Sequence, residues 1–311
     1  MPKRLTAVLA PLLLLGLAAC GAGDDPLASD ESTGDSGDAS TSSIVIGSAN
    51  FPESELLAEI YAQALEAEGI TVERQFNIGA RELYLKALED GSIDLAPEYN
   101  GALLSALSPD AAAPEGVTSP EEVYDAMVEV LPEGIIALEQ AEAEDKDTLS
   151  VTQETADELG LATIEDLAPV AGDLSVAAGP EFAERFQGLL GLEEVYGVTF
   201  GEFTPLDAGG PLTLGALLSG DADVANIFST NSAIETEGLV VLEDTKDLYL
   251  AENIVPVIRE SKSDATVESA LNEVSGVLTT ENLTAALAQV TVDKMSSADV
   301  AEQFLADNGL S

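Results

Sequence analysis

Two aromatic residues, Tyr99 and Phe228, occupy the same position in a pattern that the sequence contains twice. Segments 87–101 (ALEDGSIDLAPEYNG) and 216–230 (ALLSGDADVANIFST) share Ala-Leu, Gly, Asp, an aliphatic residue, Ala and an aromatic residue, and equivalent positions differ by 129 in number. Each copy predicts a helix ended by glycine and then a strand. Because parallel α/β sheets bind ligands beyond the carboxyl ends of their strands, we expect Tyr99 and Phe228 on opposite walls of one cleft. The alternative is an accidental match between two common helix–Gly–strand units.

The residue types exclude several kinds of catalytic and metal chemistry. The chain contains no His and a single Cys, Cys20. A Ser-His-Asp or Cys-His nucleophilic site is therefore impossible, and the usual transition-metal ligand sets are missing. With 58 acidic residues in the chain, no two carboxylates can be singled out as a catalytic pair. We expect no metal, no cofactor and no enzyme activity.

The charge of the chain narrows the choice of partners. It carries 58 acidic and 11 basic residues, a formal net charge of −47. Nucleic acid is excluded as a partner because binding a polyanion needs a basic face, and adsorption to anionic lipid is disfavoured for the same reason. An acidic surface attracts cations, although it is equally explained as an adaptation to salt that has nothing to do with a ligand.

The first 43 residues are predicted to contain a secretory signal and a membrane tether. Two basic residues precede an apolar run over 5–19 that is short for a bilayer span, so residues 1–19 have the layout of a secretory signal. Cys20 ends the sequence LAAC, which resembles the lipobox of bacterial lipoproteins, where the signal is cut before a Cys that is then lipidated. An ordinary cleavage site beside a chance Cys is the alternative. Residues 20–43, rich in Gly, Ser, Asp and Thr, should form a flexible tether.

The remainder alternates between strand and helix patterns, which predicts an α/β fold. Order should begin at a buried strand at Ile44, followed by a helix over 53–69 and a strand over 70–77, and this opening implies parallel pairing. Later segments continue the alternation: strands are predicted over 239–249 and 253–260, and two helices over 264–290. At this length, two compact lobes are more favourable than one core.

Three segments closely resemble one family of transport proteins. They are 44–103, with its opening strand and PEYNG turn, 179–200, and 215–260, with its FST turn. They resemble the substrate-binding proteins of ABC importers for glycine betaine, choline and related osmoprotectants. The resemblance implies a type II periplasmic-binding-protein-like fold, in which two α/β lobes joined by two crossover segments close on a ligand in the cleft between them. It places residues 44–143 and 238–311 in lobe 1 and residues 144–237 in lobe 2.

The resemblance also implies ligand-binding residues. Such proteins hold a quaternary ammonium group in a box of aromatic rings, whose faces offer negative potential and apolar contact. Tyr99 in PEYNG and Phe228 in NIFST match box positions, and Arg185 in PEFAERFQG matches the arginine that binds the ligand carboxylate. The further candidates are Asn100, where the family usually has a Thr donor, and Ser229 and Thr230 beside Phe228.

Three positions depart from the family pattern. Ala49 stands where a Lys is usual, Ala96 where a second tyrosine is common, and Asp147 about where another box tyrosine is expected. These departures leave the box open, rearranged or suited to another ligand. Other tyrosines are interpreted as packing residues: Tyr61, Tyr84, Tyr124, Tyr196 and Tyr249.

These observations together predict an extracytoplasmic binding lipoprotein, anchored to the cell membrane through Cys20. We expect a monomer that captures glycine betaine or a related quaternary ammonium solute and delivers it to an ABC permease. The alternatives are a binding protein for another small zwitterion or cation, an enzyme on the same scaffold, and a surface lipoprotein for adhesion or assembly.

Overall fold

The computed structural model describes residues 43–109 and 116–310 of the 311-residue chain. The predicted signal, Cys20 and nearly all of the tether lie outside the described residues. None of the helices in these ranges is both long and apolar enough to cross a membrane. The strands are β1 (Ile44–Ala49), β2 (Val72–Gly79), β3 (Leu95–Tyr99), β4 (Ile135–Ala137), β5 (Asp147–Val151), β6 (Ser175–Ala178), β7 (Glu202–Pro205), β8 (Val224–Phe228), β9 (Val240–Val241) and β10 (Ile254–Arg259). The α-helices are α1 (Pro52–Ala67), α2 (Arg81–Asp90), α3 (Asn100–Leu107), α4 (Pro120–Val130), α5 (Gln153–Leu159), α6 (Pro211–Ser219), α7 (Ala233–Thr236), α8 (Ala265–Val277), α9 (Thr280–Thr291) and α10 (Ser297–Asp307).

The first sheet has the strand order β2-β1-β3-β10-β4. Strand β1 pairs parallel with β2 and β3, as the strand–helix–strand opening predicts. Strand β10 comes from much later in the chain and runs antiparallel to both β3 and β4. The sheet is therefore mixed, because a strand that returns from the second sheet fills the place beside β3.

The second sheet repeats this topology with the order β7-β6-β8-β5-β9. Strand β6 pairs parallel with β7 and β8, and β5 runs antiparallel to β8 and β9. In the two antiparallel pairs, Ile254 lies opposite Tyr99 and Asp147 lies opposite Phe228. The two strands that enter from the crossovers, β10 and β5, thus flank the strands that carry the two aromatic residues.

The duplicated segment performs the same structural task in both sheets. Gly91 and Gly220 end helices α2 and α6 in the left-handed conformation, with φ of 79° and 77°. The Asp94 carboxylate then accepts a hydrogen bond from the backbone N–H of Val45 at 3.0 Å, and Asp223 accepts one from Ser175 at 2.8 Å. Each aspartate therefore ties the start of its strand to the neighbouring parallel strand.

The hydrophobic cores follow the two sheets. Helices α1, α8, α9 and α10 cover one face of the first sheet, α2 to α4 cover its other face, and a separate core surrounds β5, β6 and β8. Strand β9 pairs with β5, and Leu248 and Tyr249 pack in the second core, whereas Leu250 packs in the first. The predicted lobe boundaries, 44–143 with 238–311 and 144–237, stay a prediction.

Local sequence signals explain several elements. Ser119 and Glu122 form a capping box that begins α4, and Thr163 precedes a short 3-10 turn over Ile164–Leu167. The two helices predicted over 264–290 are α8 and α9. The strand predicted over 239–249 is wrong beyond β9, because the polar residues that follow form a turn in which Asp247 has a left-handed φ of 53°.

Candidate ligand-binding site

A cavity lies between the two sheets, where β1, β3 and β8 end. Phe51 follows β1 by two residues, Tyr99 is the last residue of β3, and Phe228 is the last residue of β8. All three aromatic side chains line the cavity. This position is the one predicted from the duplicated segment, because parallel strands present their carboxyl ends to ligands.

The three rings form one aromatic wall that joins the lobes. The ring centroid of Phe51 lies 5.3 Å from that of Phe228 and 6.1 Å from that of Tyr99, with interplanar angles of 60° and 32°. Gly209 supports the Phe228 ring: its φ is 58°, and a Cβ atom there would lie 2.6 Å from Cδ2 of Phe228. The ring therefore rests against backbone that only glycine supplies without strain.

A buried carboxyl pair lies behind Tyr99. The Tyr99 hydroxyl donates to Glu53 Oε1 at 2.8 Å, and the Thr230 hydroxyl, from the second sheet's side, also donates to Glu53. Asp145 accepts from the backbone N–H of Thr230 at 3.0 Å. Burial raises the pKa of both Glu53 and Asp145, and the adjacent Glu53 charge raises that of Asp145 further. The two carboxyl groups share a hydrogen bond, and the raised pKa of Asp145 favours its protonated form.

Two arginines line the cavity, and each is paired with a glutamate. Arg81 Nε donates to both carboxylate oxygens of Glu98, at 3.2 and 3.1 Å. Arg185 donates from Nε and Nη2 to Glu82 at 3.1 to 3.3 Å. The first pair is buried, whereas the second bridges the two lobes at the surface, where the Glu82 side chain is 61% exposed.

Three further acids line the cavity without an ion pair among the described residues: Asp147, Glu181 and Glu252. Asp147 accepts from Asn226 Nδ2 at 2.8 Å, and burial raises its pKa. Glu252 accepts from the Ala102 N–H at 2.8 Å and from Gln187 Nε2 at 2.9 Å, and burial raises its pKa to about 8. A cation entering the cavity would favour the charged form of Asp147 and Glu252.

The structure brings together three of the six predicted binding residues. Tyr99, Phe228 and Arg185 line the cavity. Asn100 does not: it is fully buried, with its amide bonded to Gln140 and to the backbone of Asn253. Ser229 and Thr230 also lie away from this lining. The Ser229 hydroxyl accepts a hydrogen bond from the Lys146 backbone N–H, and the Thr230 hydroxyl donates one to Glu53. Asn100, Ser229 and Thr230 therefore support the crossovers and the interface between the lobes.

The three departures from the family pattern have different surroundings. Ala49 and Asp147 line the cavity, whereas Ala96 is fully buried in the core of the first sheet. Asp147 therefore places a carboxyl group where a ring was expected, and the side chain at position 96 does not contribute to the lining.

Phe51, Arg81 and Tyr84 are lining residues that the sequence analysis missed. Phe51 carries the same signal as Tyr99, an aromatic residue at the end of a parallel strand, but it lies outside the repeat. Tyr84 was interpreted as a packing residue, yet its hydroxyl donates to Glu98 Oε1 at 2.8 Å beneath the cavity. Arg81 begins α2, where nothing in the local pattern distinguishes it.

Comparison with known proteins identifies the family. The model of the substrate-binding domain of ABC-type glycine betaine transport systems (OpuAC) matches residues 42–307. The glycine betaine-binding protein YehZ of Escherichia coli K12 is 27% identical over 280 residues, which cover 86% of this chain and 91% of that protein. A glycine-betaine-binding protein of Pseudomonas aeruginosa is 27% identical over 283 residues, with 85% and 88% covered.

A solved structure confirms the predicted fold. The crystal structure of a glycine betaine/carnitine/choline ABC transporter protein superposes with a TM-score of 0.67 at 24% identity, covering 86% of this chain and 99% of that one. The two-lobe α/β architecture is thus shared, and the family match spans nearly all of the described residues. The chain belongs to the family of substrate-binding domains of ABC-type glycine betaine transport systems.

Proposed function

We propose that this protein captures glycine betaine or a closely related quaternary ammonium solute in the cavity between its lobes. The observation that carries the proposal is the aromatic wall of Phe51, Tyr99 and Phe228, to which both lobes contribute. A methylated ammonium group has no N–H to donate, and it is recognised by ring faces that offer negative potential and apolar contact. Because the wall is complete only when the lobes meet, binding and closure would be one event.

The charged lining supports a ligand with a cationic head. Asp147 and Glu252 face the same cavity as the rings and form no ion pair among the described residues, although the charge of Arg81 lowers the pKa of both against the larger effect of burial. A quaternary ammonium would add positive charge beside these acids without needing a hydrogen bond. This feature makes choline the second candidate, because choline is a cation without a carboxylate. The names of the similar proteins favour glycine betaine as the first.

A thermal-shift screen tests the proposal. Glycine betaine, choline, carnitine, ectoine and proline would be compared with a neutral isostere of choline in which carbon replaces nitrogen. A ligand at about a hundred times its dissociation constant should add about 2.7 kcal/mol to the free energy of unfolding. We expect stabilisation by quaternary ammonium compounds and none by the isostere. Stabilisation by proline or ectoine alone would assign the cavity to a different zwitterion.

We further propose that the loaded protein delivers its ligand to an ABC permease and is not an enzyme. Family membership supports a transport role. Leu83 and Leu212 lie four residues before the two copies of the repeat, in the first turns of α2 and α6, and are 57% and 63% exposed. A partner that contacts both leucines would sense whether the lobes are closed. Leu83→Glu and Leu212→Glu should reduce uptake by cells and leave ligand affinity unchanged; normal uptake would remove these residues from the contact.

The anchor is a separate proposal. We propose that the protein acts as a monomer outside the cytoplasm, held at the membrane by a lipid on Cys20, as LAAC and the polar segment after it suggest. Acyl chains contribute about 0.8 kcal/mol per buried CH₂, so their loss should be plain in cell fractionation. Cys20→Ser should move the protein from the membrane fraction to the soluble fraction. Equal membrane association of both forms would rule out the lipid.

A further inference from the structure

The two arginines at the cavity differ in how many of their donors are already used. Arg185 gives Nε and Nη2 to the exposed Glu82. Arg81 gives only Nε to the protein, where it contacts both oxygens of Glu98. Within residues 43–109 and 116–310, neither Nη1 nor Nη2 of Arg81 has a hydrogen-bond acceptor, although both belong to a side chain that lines the cavity.

The surroundings of Arg81 fix the direction of its guanidinium. Arg81 is 9% exposed and Glu98 is fully buried. Glu98 is itself held by the Tyr84 hydroxyl at 2.8 Å and by the backbone N–H of Tyr99 at 3.1 Å. With its Nε side bonded to this carboxylate, the guanidinium keeps its Nη1–Nη2 edge for another acceptor. Because Arg81 lines the cavity, a ligand there can accept hydrogen bonds from this edge.

A carboxylate is the acceptor that this edge fits. Two parallel N–H groups of a planar guanidinium match the two oxygens of a carboxylate, and an enclosed site strengthens the pair. Glu98 and Tyr99 are consecutive residues of β3. The same strand therefore positions the guanidinium, through Glu98, and one ring of the aromatic wall, so that a small zwitterion can contact both.

We propose that Arg81 binds the carboxylate of a zwitterionic ligand, and that Arg185 instead joins the lobes through Glu82. The inference rests on the proposed function, because it assigns one end of the ligand in the same cavity. It places the carboxylate at Arg81 and the ammonium group at the rings. It also makes Arg81 a residue that distinguishes a zwitterion from choline.

Paired titrations with glycine betaine and choline test the inference. Arg81→Gln alone would leave Glu98 buried without its partner, so the decisive variant is the double substitution Arg81→Gln with Glu98→Gln. We expect glycine betaine to bind at least about thirty-fold more weakly to this variant, as for a charge that loses its buried partner. Choline affinity should stay within about threefold. Arg74→Gln is the control, because Arg74 is paired with Glu59 and Glu66 away from the cavity.

The outcomes separate this inference from the proposed function. If glycine betaine and choline lose affinity equally, or if glycine betaine binds the double variant normally, Arg81 does not bind the carboxylate. A loss confined to glycine betaine in Arg185→Ala, with the Arg81 variant unaffected, would return that role to Arg185. If the unmodified protein binds neither ligand, the proposed function itself fails. Circular dichroism and the melting temperature of each variant show whether it is folded.

Discussion

Arg185 and Glu82 form an ion pair across the opening between the lobes. Nη2 of Arg185 lies 3.1 and 3.2 Å from the two carboxylate oxygens of Glu82, and Nε lies 3.3 Å from one of them. Arg185 lies in the segment that connects β6 to β7 of the second sheet. Glu82 lies in α2, beside the first sheet. The pair joins the two lobes in this structure, so we expect it to stabilise the arrangement in which the lobes are closed.

The first prediction concerns this pair. Glu82→Gln should weaken the binding of glycine betaine and choline equally, because it removes a contact of the closed form and none with the ligand. An exposed ion pair contributes about 0.2–1 kcal/mol, which corresponds to a loss of up to about fivefold that shrinks at high salt. Isothermal titration at low and high salt measures this loss of affinity. Glu89→Gln, an exposed residue of the same helix, is the charge-matched control and should change nothing.

The second prediction concerns the aromatic wall. Phe51→Ala, Tyr99→Ala and Phe228→Ala should each weaken a quaternary ammonium ligand by about 1–3 kcal/mol, from lost cation–π attraction and apolar burial. Because the Phe51 and Phe228 rings are 5.3 Å apart, their double variant should lose less than the sum of the two. Replacement by Leu should restore burial without the attraction to the cation, and so rescue only in part.

The control for the three substitutions in the aromatic wall is Phe203→Ala, because Phe203 packs on the second core and does not line the cavity. That change should lower the melting temperature but keep the affinity of the folded protein. Wild-type affinity in both Phe51→Ala and Phe228→Ala would locate the ligand elsewhere and leave the repeat a purely architectural feature.

The third prediction follows from the pKa of Glu252. Burial raises this pKa from its ordinary 4.5 to about 8 in the folded protein, so its stabilising contribution is complete below about pH 4.5 and is lost as the pH rises through 8. Without ligand, Glu252→Gln should therefore become more stable relative to the unmodified protein as the pH rises from about 5 to about 9, by on the order of 1–4 kcal/mol. Urea denaturation at both pH values measures the difference. Glu260→Gln, at an exposed position, should follow the unmodified protein; an identical profile for Glu252→Gln would contradict the prediction.

The fourth prediction concerns the duplicated aspartates. Asp223→Ala removes the acceptor of the Ser175 backbone N–H and hydroxyl, at 2.8 and 2.7 Å, and should cost about 1–3 kcal/mol of stability. Asp221→Ala, two residues earlier and exposed, should stay within about 0.5 kcal/mol. Chemical denaturation distinguishes them. Ligand affinity of the folded Asp223 variant should be unchanged; a large loss would mean that this aspartate acts on the site and not only on the sheet.

The features that could be predicted from the sequence are those with a local cause. The glycine-terminated helices, the strand after each, and the placement of Tyr99 and Phe228 at strand ends depend on short segments whose periodicity and turn residues are visible in the chain. The chain length already favoured two lobes, and the resemblance to the family added their periplasmic-binding-protein-like fold, which the solved structure confirms.

The contacts that could not be predicted join distant segments of the chain. Thr230 reaches Glu53 across 177 positions and Arg185 reaches Glu82 across 103, and no local pattern reports such distances. Asn100 looked like a donor to a ligand because its type suits that role, but Gln140 and the Asn253 backbone satisfy its amide. The free donors of Arg81 likewise depend on its neighbours in space. Neither composition nor spacing predicts that Arg81 pairs with Glu98.

Isothermal titration of the unmodified protein with glycine betaine, choline and the neutral isostere of choline tests the central claim most directly. The claim is that rings from both lobes and the acids beside them hold a quaternary ammonium group. We expect one ligand to bind per chain for at least one of the two quaternary ammonium compounds, with no detectable heat from the isostere, because the isostere keeps the shape and loses the charge. Equal binding of the isostere, or no binding of either quaternary ammonium compound, would contradict the account.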